Sequence, residues 1–453
     1  MTGSTKRWSA LPLSASNGRP QPGPSDTDVS GRLLDARPER AFLVGLEGLP
    51  ELGDWPADAS LDELAELVET AGADVVARTL LRIRRPVAAT LMGSGQLDDA
   101  IALARAHDAD VLVIDADLRP RQQRNLENAF KGKVLDRTGV ILDIFAARAR
   151  TVEGHLQVER AQLEYLLPRL SELWVQFSRQ RGGVGPFRGP GETQIETDRR
   201  LYRGRMAMLD KRLDAVRARR ARSRARRRES GFLTAALVGY TNAGKSSLLN
   251  ALTGAGVFTE DRLFATLDPT TRSVDLPGGG AILVTDTVGF IQRLPTRLVQ
   301  AFRGTLEEAL EADVLIHVVD LANPAFDRQV EVVHDTLRDI GAGRRPIVTA
   351  LNKVDMAPAP DLAEYPNAVA VSATTGEGID DLLQRLADIH KVSTVEIEVE
   401  IPYDDSRLVA LFHEHGNVQD ESFGQSGTRL RGAVPAALAG RFESYRVEPA
   451  PSP

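Results

Sequence analysis

Gly239, Tyr240, Thr241, Asn242, Ala243, Gly244, Lys245 and Ser246 spell G-x-x-x-x-G-K-S, and Ser247 follows. The chemistry open to such a run is the holding of a polyphosphate. Glycines let backbone N–H groups wrap a phosphate, and a helix starting just beyond adds partial positive charge. Lys245 has the reach for β- and γ-phosphates, and the Ser246 hydroxyl can ligate Mg²⁺. The string alone also describes a glycine turn before a helix. Its surroundings favour the cradle: the apolar run 232–238 reads as a buried strand, and Ser247 to Leu252 reads as a helix start.

Three further motifs follow in order. Residues 282–285 are strand-like and lead into Asp286, Thr287, Val288 and Gly289, a D-x-x-G. Asp286 is suited to hold Mg²⁺ through a water, and the Gly289 amide to meet a γ-phosphate. Between the two motifs lie Phe264, Ala265, Thr266, Leu267 and Asp268. Thr266 is the candidate for a second hydroxyl on Mg²⁺, with Thr270 and Thr271 as competitors. The third strand-like run, from Pro346, ends in Asn352, Lys353, Val354 and Asp355, an N-K-x-D. A carboxylate at Asp355 can accept from guanine N1–H and the exocyclic amine together. Adenine offers neither donor there and would leave the carboxylate unpaired, which discriminates by orders of magnitude. Lys353 is expected to lay its methylenes over the base and Asn352 to brace the loops. Ser372 and Ala373 end another strand, where a backbone N–H can reach guanine O6. All four motifs together imply GTP or GDP with Mg²⁺, with Lys245, Thr266 and Gly289 in the catalytic roles and Ser246, Thr266 and Asp286 around the metal.

The residue after Gly289 is Phe290. Many GTPases place a glutamine there to orient the attacking water, and a phenyl ring has no hydrogen bond to give. Gln292 lies two residues on. Slow intrinsic hydrolysis, accelerated by a partner that orders the loops, is therefore expected.

These motifs need an α/β scaffold, and the 453 residues suffice for about three domains. The absence of cysteine excludes disulfides, thiolate zinc sites and thiol catalysis. His413 and His415 could share one face of a strand, but no third ligand has a recognisable spacing, so a solvated stretch is the simpler reading. No apolar run approaches the roughly 18 residues of a membrane span, and no apolar segment follows Lys6 and Arg7. A cytoplasmic monomer, with peripheral membrane association open to it, is expected.

The expected order begins with a disordered tail over 1–38, rich in Ser, Pro, Gly and Asp. A small parallel α/β domain follows over 39–149, with strands from Ala41, Asp74, Val111 and Val140. Within it, Gly93-Ser-Gly-Gln reads as a tight turn and helix cap more readily than as a phosphate loop. Residues 150–231 form a helical hairpin whose loop, Arg181 to Gln194, carries five glycines and two prolines. Phe187 between Arg181 and Arg188 suits stacking on a base while the arginines meet phosphates.

The second helix ends in a basic run. Lys211–Arg228 holds ten Lys/Arg and one acid, a net of +9 within a chain of −7, so the remainder is −7 − 9 = −16. Arg217, Arg219, Arg220 and Arg222 in that run are candidate RNA contacts, against the alternative of a solvated face. The nucleotide domain spans 232–392. A small α+β module over 393–448 opens with the strictly alternating run Thr394–Ile401, and 449–453 form a tail.

The loop from Gly189 to Arg200, the run Phe264–Arg272 and the segment Asp286–Phe290 together resemble the bacterial HflX GTPases over about residues 40–448. The first segment has no place in a generic GTPase. The resemblance implies a P-loop GTPase that associates with the large (50S) ribosomal subunit and ribosomal RNA. It further implies splitting or rescue of stalled 70S ribosomes, often under stress. It favours Thr266 as the switch threonine and implies that the hairpin approaches RNA. An ATP-driven RNA remodeller acting through the N-terminal domain and a GTP-dependent protein adaptor remain as alternatives.

Overall fold

The computed structural model describes residues 37–50, 55–180, 190–229, 232–254, 262–293, 303–357, 367–392 and 394–447, with a few single residues between them. Residues 1–36 of the tail expected over 1–38, and all of the tail expected over 449–453, lie outside the described residues, as do Arg181, Phe187 and Arg188. The chain divides into two units, Met1–Ala147 with Ala161–Met206, and Arg148–Arg160 with Ala207–Pro453.

In the first unit, β1 (Arg40–Glu47), α1 (Ala57–Thr70), β2 (Asp74–Arg82), α2 (Ser94–Ala106), β3 (Val111–Ile114), α3 (Pro120–Phe130), β4 (Lys133–Asp136) and α4 (Arg137–Arg148) alternate. The strands form a parallel sheet in the order β2-β1-β3-β4. All four residues of β3 are buried, the near-continuous apolar run expected of a covered parallel strand. The strand expected from Val140 is instead part of α4, and β4 lies just before it. Asp136 decides this locally, since its Oδ1 accepts the Gly139 N–H at 2.8 Å as a helix N-cap does. At Gly93 the N–H donates to Gln96 Oε1 at 3.3 Å, the helix-cap arrangement.

Two long helices follow, α5 (Val152–Gln180) and α6 (Pro190–Glu229). Pro190 opens α6, where its missing N–H is no loss, so Gly191 to Gln194 are helical and the loop ends sooner than composition suggests. The part of α5 in the first unit anchors there through Arg169, which bonds Asp136 Oδ2 at 2.9 Å, Leu118 O at 2.9 Å and Gln123 Oε1 at 2.7 Å.

The second unit contains β5 (Leu233–Gly239), α7 (Lys245–Thr253), β6 (Thr270–Asp275), β7 (Ala281–Asp286), α8 (Arg303–Glu311), β8 (Val314–Asp320), α9 (Phe326–Ile340), β9 (Ile347–Asn352), β10 (Ala368–Ala370) and α10 (Ile379–Val392). Its six-stranded sheet runs β10-β9-β8-β5-β7-β6, with only β6 antiparallel to its neighbour. Leu237, Val284, Ile316 and Val348 pack its core against α7 and α10. The C-terminal module has β11 (Thr394–Ile401), α11 (Ser406–His415), β12 (Asn417–Phe423), β13 (Thr428–Pro435) and the short α12 (Ala436–Ala439). Its antiparallel sheet runs β11-β13-β12 around Val399, Phe412, Leu430 and Phe442. His413 lies on α11 rather than a strand and faces Glu421 at 3.2 Å. Among the described residues no helix is long and apolar enough to cross a membrane, and no group of three or more His, Cys, Asp or Glu is set to hold a metal.

Candidate nucleotide site

The phosphate loop turns from β5 into α7 over residues that backbone sterics dictate. Gly239 has φ +156°, and a Cβ there would lie 2.3 Å from the Val318 carbonyl oxygen. Gly244 has φ +92°, and a Cβ there would lie 2.3 Å from Asn352 Nδ2. Neither position admits a side chain. Lys245 is buried, and its Nζ donates to the carbonyls of Tyr240 at 2.7 Å and Gly239 at 3.2 Å. Burial lowers its pKa to about 8, against the raising influence of Asp286.

Ser246, Thr266 and Asp286 converge from α7, the loop before β6 and the end of β7. The Ser246 and Thr266 hydroxyl oxygens are 2.8 Å apart, and lie 2.6 Å and 2.9 Å from Asp286 Oδ2. Thr270 and Thr271 are elsewhere: Thr270 sits opposite Asp286 in the β6–β7 ladder, and Thr271 Oγ1 is 2.9 Å from Thr285 Oγ1. Two hydroxyl protons serve three O···O contacts, so one contact lacks a proton when Asp286 is ionised. Asp286 Oδ1 is buried without a hydrogen-bond partner. Burial pushes the Asp286 carboxyl up, opposed by the hydroxyls and Lys245. An oxygen-only cluster short of positive charge fits a hard divalent cation.

The D-x-x-G segment is zipped to the phosphate loop. Thr241 N–H donates to Phe290 O at 2.7 Å, and Phe290 N–H to Gly239 O at 3.0 Å. Gly289 packs so closely that a Cβ would be 2.8 Å from Thr241 Cα and 2.9 Å from Lys245 Nζ. The Phe290 side chain is buried, and Gln292 is buried too, its N–H donating to the Tyr240 hydroxyl at 2.8 Å. Neither lines the cleft.

Asn352 ties the base side together. Its Nδ2 donates to Ala243 O at 2.8 Å and its Oδ1 accepts the Ala373 N–H at 3.1 Å. Lys353, at φ +69°, is held by Asp320 at 2.7 Å. Ser372 is buried, and its Oγ accepts the Thr375 N–H at 3.1 Å.

Together these loops enclose a cleft of ≈350 Å³. Its walls include Thr241, Asn242, Gly244, Lys245, Ser246, Ser247, Phe264, Ala265, Thr266, Thr287, Gly289, Asn352, Lys353, Asp355 and Ala373. Gly239, Tyr240, Ala243, Leu267, Asp268, Asp286, Val288, Val354 and Ser372 are not in the wall. Leu267 is buried, and the Asp268 carboxylate turns to the start of α5. Arg262, Met356 and Thr374 line the cleft as well. Sequence reasoning missed them because each flanks a motif without belonging to it.

On α6, Arg219 and Arg222 are exposed, whereas Arg220 pairs with buried Glu153 at 3.0 Å and Arg217 with Asp214 at 3.3 Å.

A phosphate loop after the central strand of a mostly parallel sheet, facing a D-x-x-G and an N-K-x-D, defines a P-loop GTPase. Comparison with known proteins gives the family. A GTP-binding GTPase N-terminal family matches residues 58–146, the corresponding middle region 148–227, a 50S ribosome-binding GTPase family 234–353, and an HflX C-terminal domain 361–429. GTPase HflX of Magnetococcus marinus is 46% identical over 90% of this chain and 95% of its own. That of Escherichia coli is 41% identical over 81% and 88%. A GTP-binding protein from Sulfolobus solfataricus, solved with GDP, aligns with 78% of this chain and 98% of its own at 25% identity and a TM-score of 0.42. The chain belongs to the HflX family of GTPases: it binds guanine nucleotide and hydrolyses GTP.

Proposed function

We propose that this GTPase is a ribosome-associated switch that docks on the large (50S) subunit in its GTP form and splits or rescues stalled 70S particles, in the cytoplasm and under stress. The Ser246, Thr266 and Asp286 oxygens would hold Mg²⁺, Asp286 through a water. Bound there, the ion would offset phosphate charge. Lys245 would neutralise the β- and γ-phosphates, and the Gly289 amide would report whether a γ-phosphate is present. Asp355 would select guanine. Thr266 and Gly289 come from two different loops, so one nucleotide can order both, and loss of the γ-phosphate releases them.

The observation that carries the ribosome reading is the basic stretch of α6. Arg220 is committed to Glu153, but Lys211, Arg212, Arg219 and Arg222 are exposed on a helix of an otherwise acidic protein. Cations so concentrated suit a phosphate backbone. The match to a 50S ribosome-binding GTPase family supports the same partner. Buried Phe290 and Gln292 support slow turnover until docking completes the site.

Sedimentation of 70S particles with the protein and GTP, a non-hydrolysable analogue or GDP tests this. More free subunits with GTP and the analogue than with GDP are expected. Equal yields in all three would sink the nucleotide-switch reading.

A further inference from the structure

Asp268 is two residues from Thr266, yet it makes no contact with the cleft. Its carboxylate instead accepts the N–H groups of Arg150 at 2.9 Å and Thr151 at 2.8 Å, and the Thr151 hydroxyl proton. Thr151 is itself the N-cap of α5, since its Oγ1 accepts the Gly154 N–H at 3.0 Å. Asp268 therefore completes the cap from another part of the chain and sets a negative charge at the helix's positive end. Gly154 makes room for it, because a Cβ there would lie 2.6 Å from Asp268 Oδ1. Glu153 in the same turn pairs with Arg220 of α6 at 3.0 Å, which ties that turn to α6.

We infer that Asp268 is a positioning residue for GTP hydrolysis: by capping α5 it holds the Phe264–Asp268 loop so that Thr266 stays at Ser246 and Asp286. Two links of chain separate the Cα atoms of Thr266 and Asp268, at most about 7 Å. Leu267 between them is buried, leaving little slack. Withdrawal of Thr266 by more than a few ångström must pull on Asp268. Conversely, three hydrogen bonds to a carboxylate, each stronger than a neutral one, favour the arrangement in which Thr266 is in place. The nucleotide-facing loop and the first turn of α5 thus order together.

The inference rests on reading Thr266 as the switch hydroxyl on Mg²⁺, and the test separates the two. Asp268→Ala and Gly154→Ala remove the cap from opposite sides, the second without changing a residue of the loop. Thr266→Ala is the control for the switch itself. For each, GDP and GTP-analogue affinities and the Mg²⁺ dependence of single-turnover hydrolysis are measured on the full chain.

Both cap variants should weaken the analogue by about tenfold or more, the scale of one lost charge-assisted hydrogen bond. They should raise the Mg²⁺ requirement and leave GDP affinity within about twofold. In the parent chain, the Arg150 and Thr151 amides should exchange with solvent more slowly with the analogue than with GDP. If Thr266→Ala shifts the Mg²⁺ dependence and the cap variants do not, Asp268 has no positioning role. Equal loss of GDP and analogue affinity would show a merely structural cap, and equal amide exchange in both states would also overturn the inference. If Thr266→Ala itself changes nothing, the fault lies with the switch reading.

Discussion

Asn352→Ala should disable the cleft without touching a phosphate. Asn352 is 2% exposed and joins two loops by two hydrogen bonds, to Ala243 O in the phosphate loop and from Ala373 N–H beside the base. Truncation leaves a buried carbonyl and a largely enclosed N–H without partners. Each costs about 1–3 kcal/mol when it cannot reach water, so the loss is about 2–6 kcal/mol in total. No neighbour can fill the space from the phosphate loop, because Gly244 carries no side chain and has φ +92°.

Part of this loss lowers the stability of the empty domain and part appears as weaker nucleotide binding. A melting transition lower by roughly 5–10 °C is expected for a unit of this size. Fluorescent GDP should bind at least about tenfold more weakly. Asn352→Asp sharpens the test. It keeps an acceptor for Ala373 but sets a carboxylate oxygen against the Ala243 carbonyl, so it should be at least as damaging as alanine. Titration with fluorescent GDP and melting with and without GDP read both parts. Affinity within twofold and melting within about a degree for Asn352→Ala, or an aspartate variant that binds better than the alanine one, would refute the bracing argument.

Other outcomes follow from buried charge. Lys245 falls to about 8 in the nucleotide-free protein, so between pH 8 and its ordinary value the unfolded chain binds more protons. Stability should rise with pH across that window by up to about 3 kcal/mol, and a pH series of urea melts should show the rise vanish in Lys245→Met. Burial raises Asp143 to about 6, with Lys133 opposing and Glu39 adding to the effect. Its contribution is full below the ordinary aspartate value and lost as pH climbs through 6. Asp143→Asn should therefore stabilise the N-terminal unit at pH 7–8 by on the order of 1–3 kcal/mol, read from thermal melts against pH. Arg219→Gln with Arg222→Gln should weaken ribosome co-sedimentation and flatten its salt dependence by about one charge per residue. Arg220→Gln should instead lower the melting temperature, because it takes the ion-pair partner from the buried Glu153 carboxylate and leaves it the Gln157 hydrogen bond.

The sequence made some of this legible and hid the rest for physical reasons. The phosphate loop, D-x-x-G and N-K-x-D are short because each contacts a fixed ligand geometry, and their supporting strands are apolar on both faces. Thr266 could not be told from Thr270 and Thr271 by type, since only the register of β6 on β7 commits Thr270 and Thr271 to the sheet. Val140–Ile144 is buried all round, so it has no helical period to read, and only the Asp136 cap marks it as helix. Strands β6 and β12 are polar edge strands, each paired with the strand that directly follows it, and their mostly exposed residues give no apolar run or alternation to read. Asp268 sits inside a motif next to the nucleotide, but its partners Arg150 and Thr151 are more than a hundred residues away. A local reading therefore gives it to the ligand. The ion pair from Arg220 to Glu153 is hidden in a basic run for the same reason.

The central claim is that this GTPase waits for the ribosome. Single-turnover GTP hydrolysis, measured for the protein alone and with purified 50S subunits or 70S ribosomes, tests it most directly. With Phe290 buried and Gln292 outside the cleft, hydrolysis alone should be slow. Ribosomes should accelerate it by at least about tenfold, a change of about 1.4 kcal/mol in barrier. Fast hydrolysis by the isolated protein, or a rate that ribosomes leave unchanged, would contradict it.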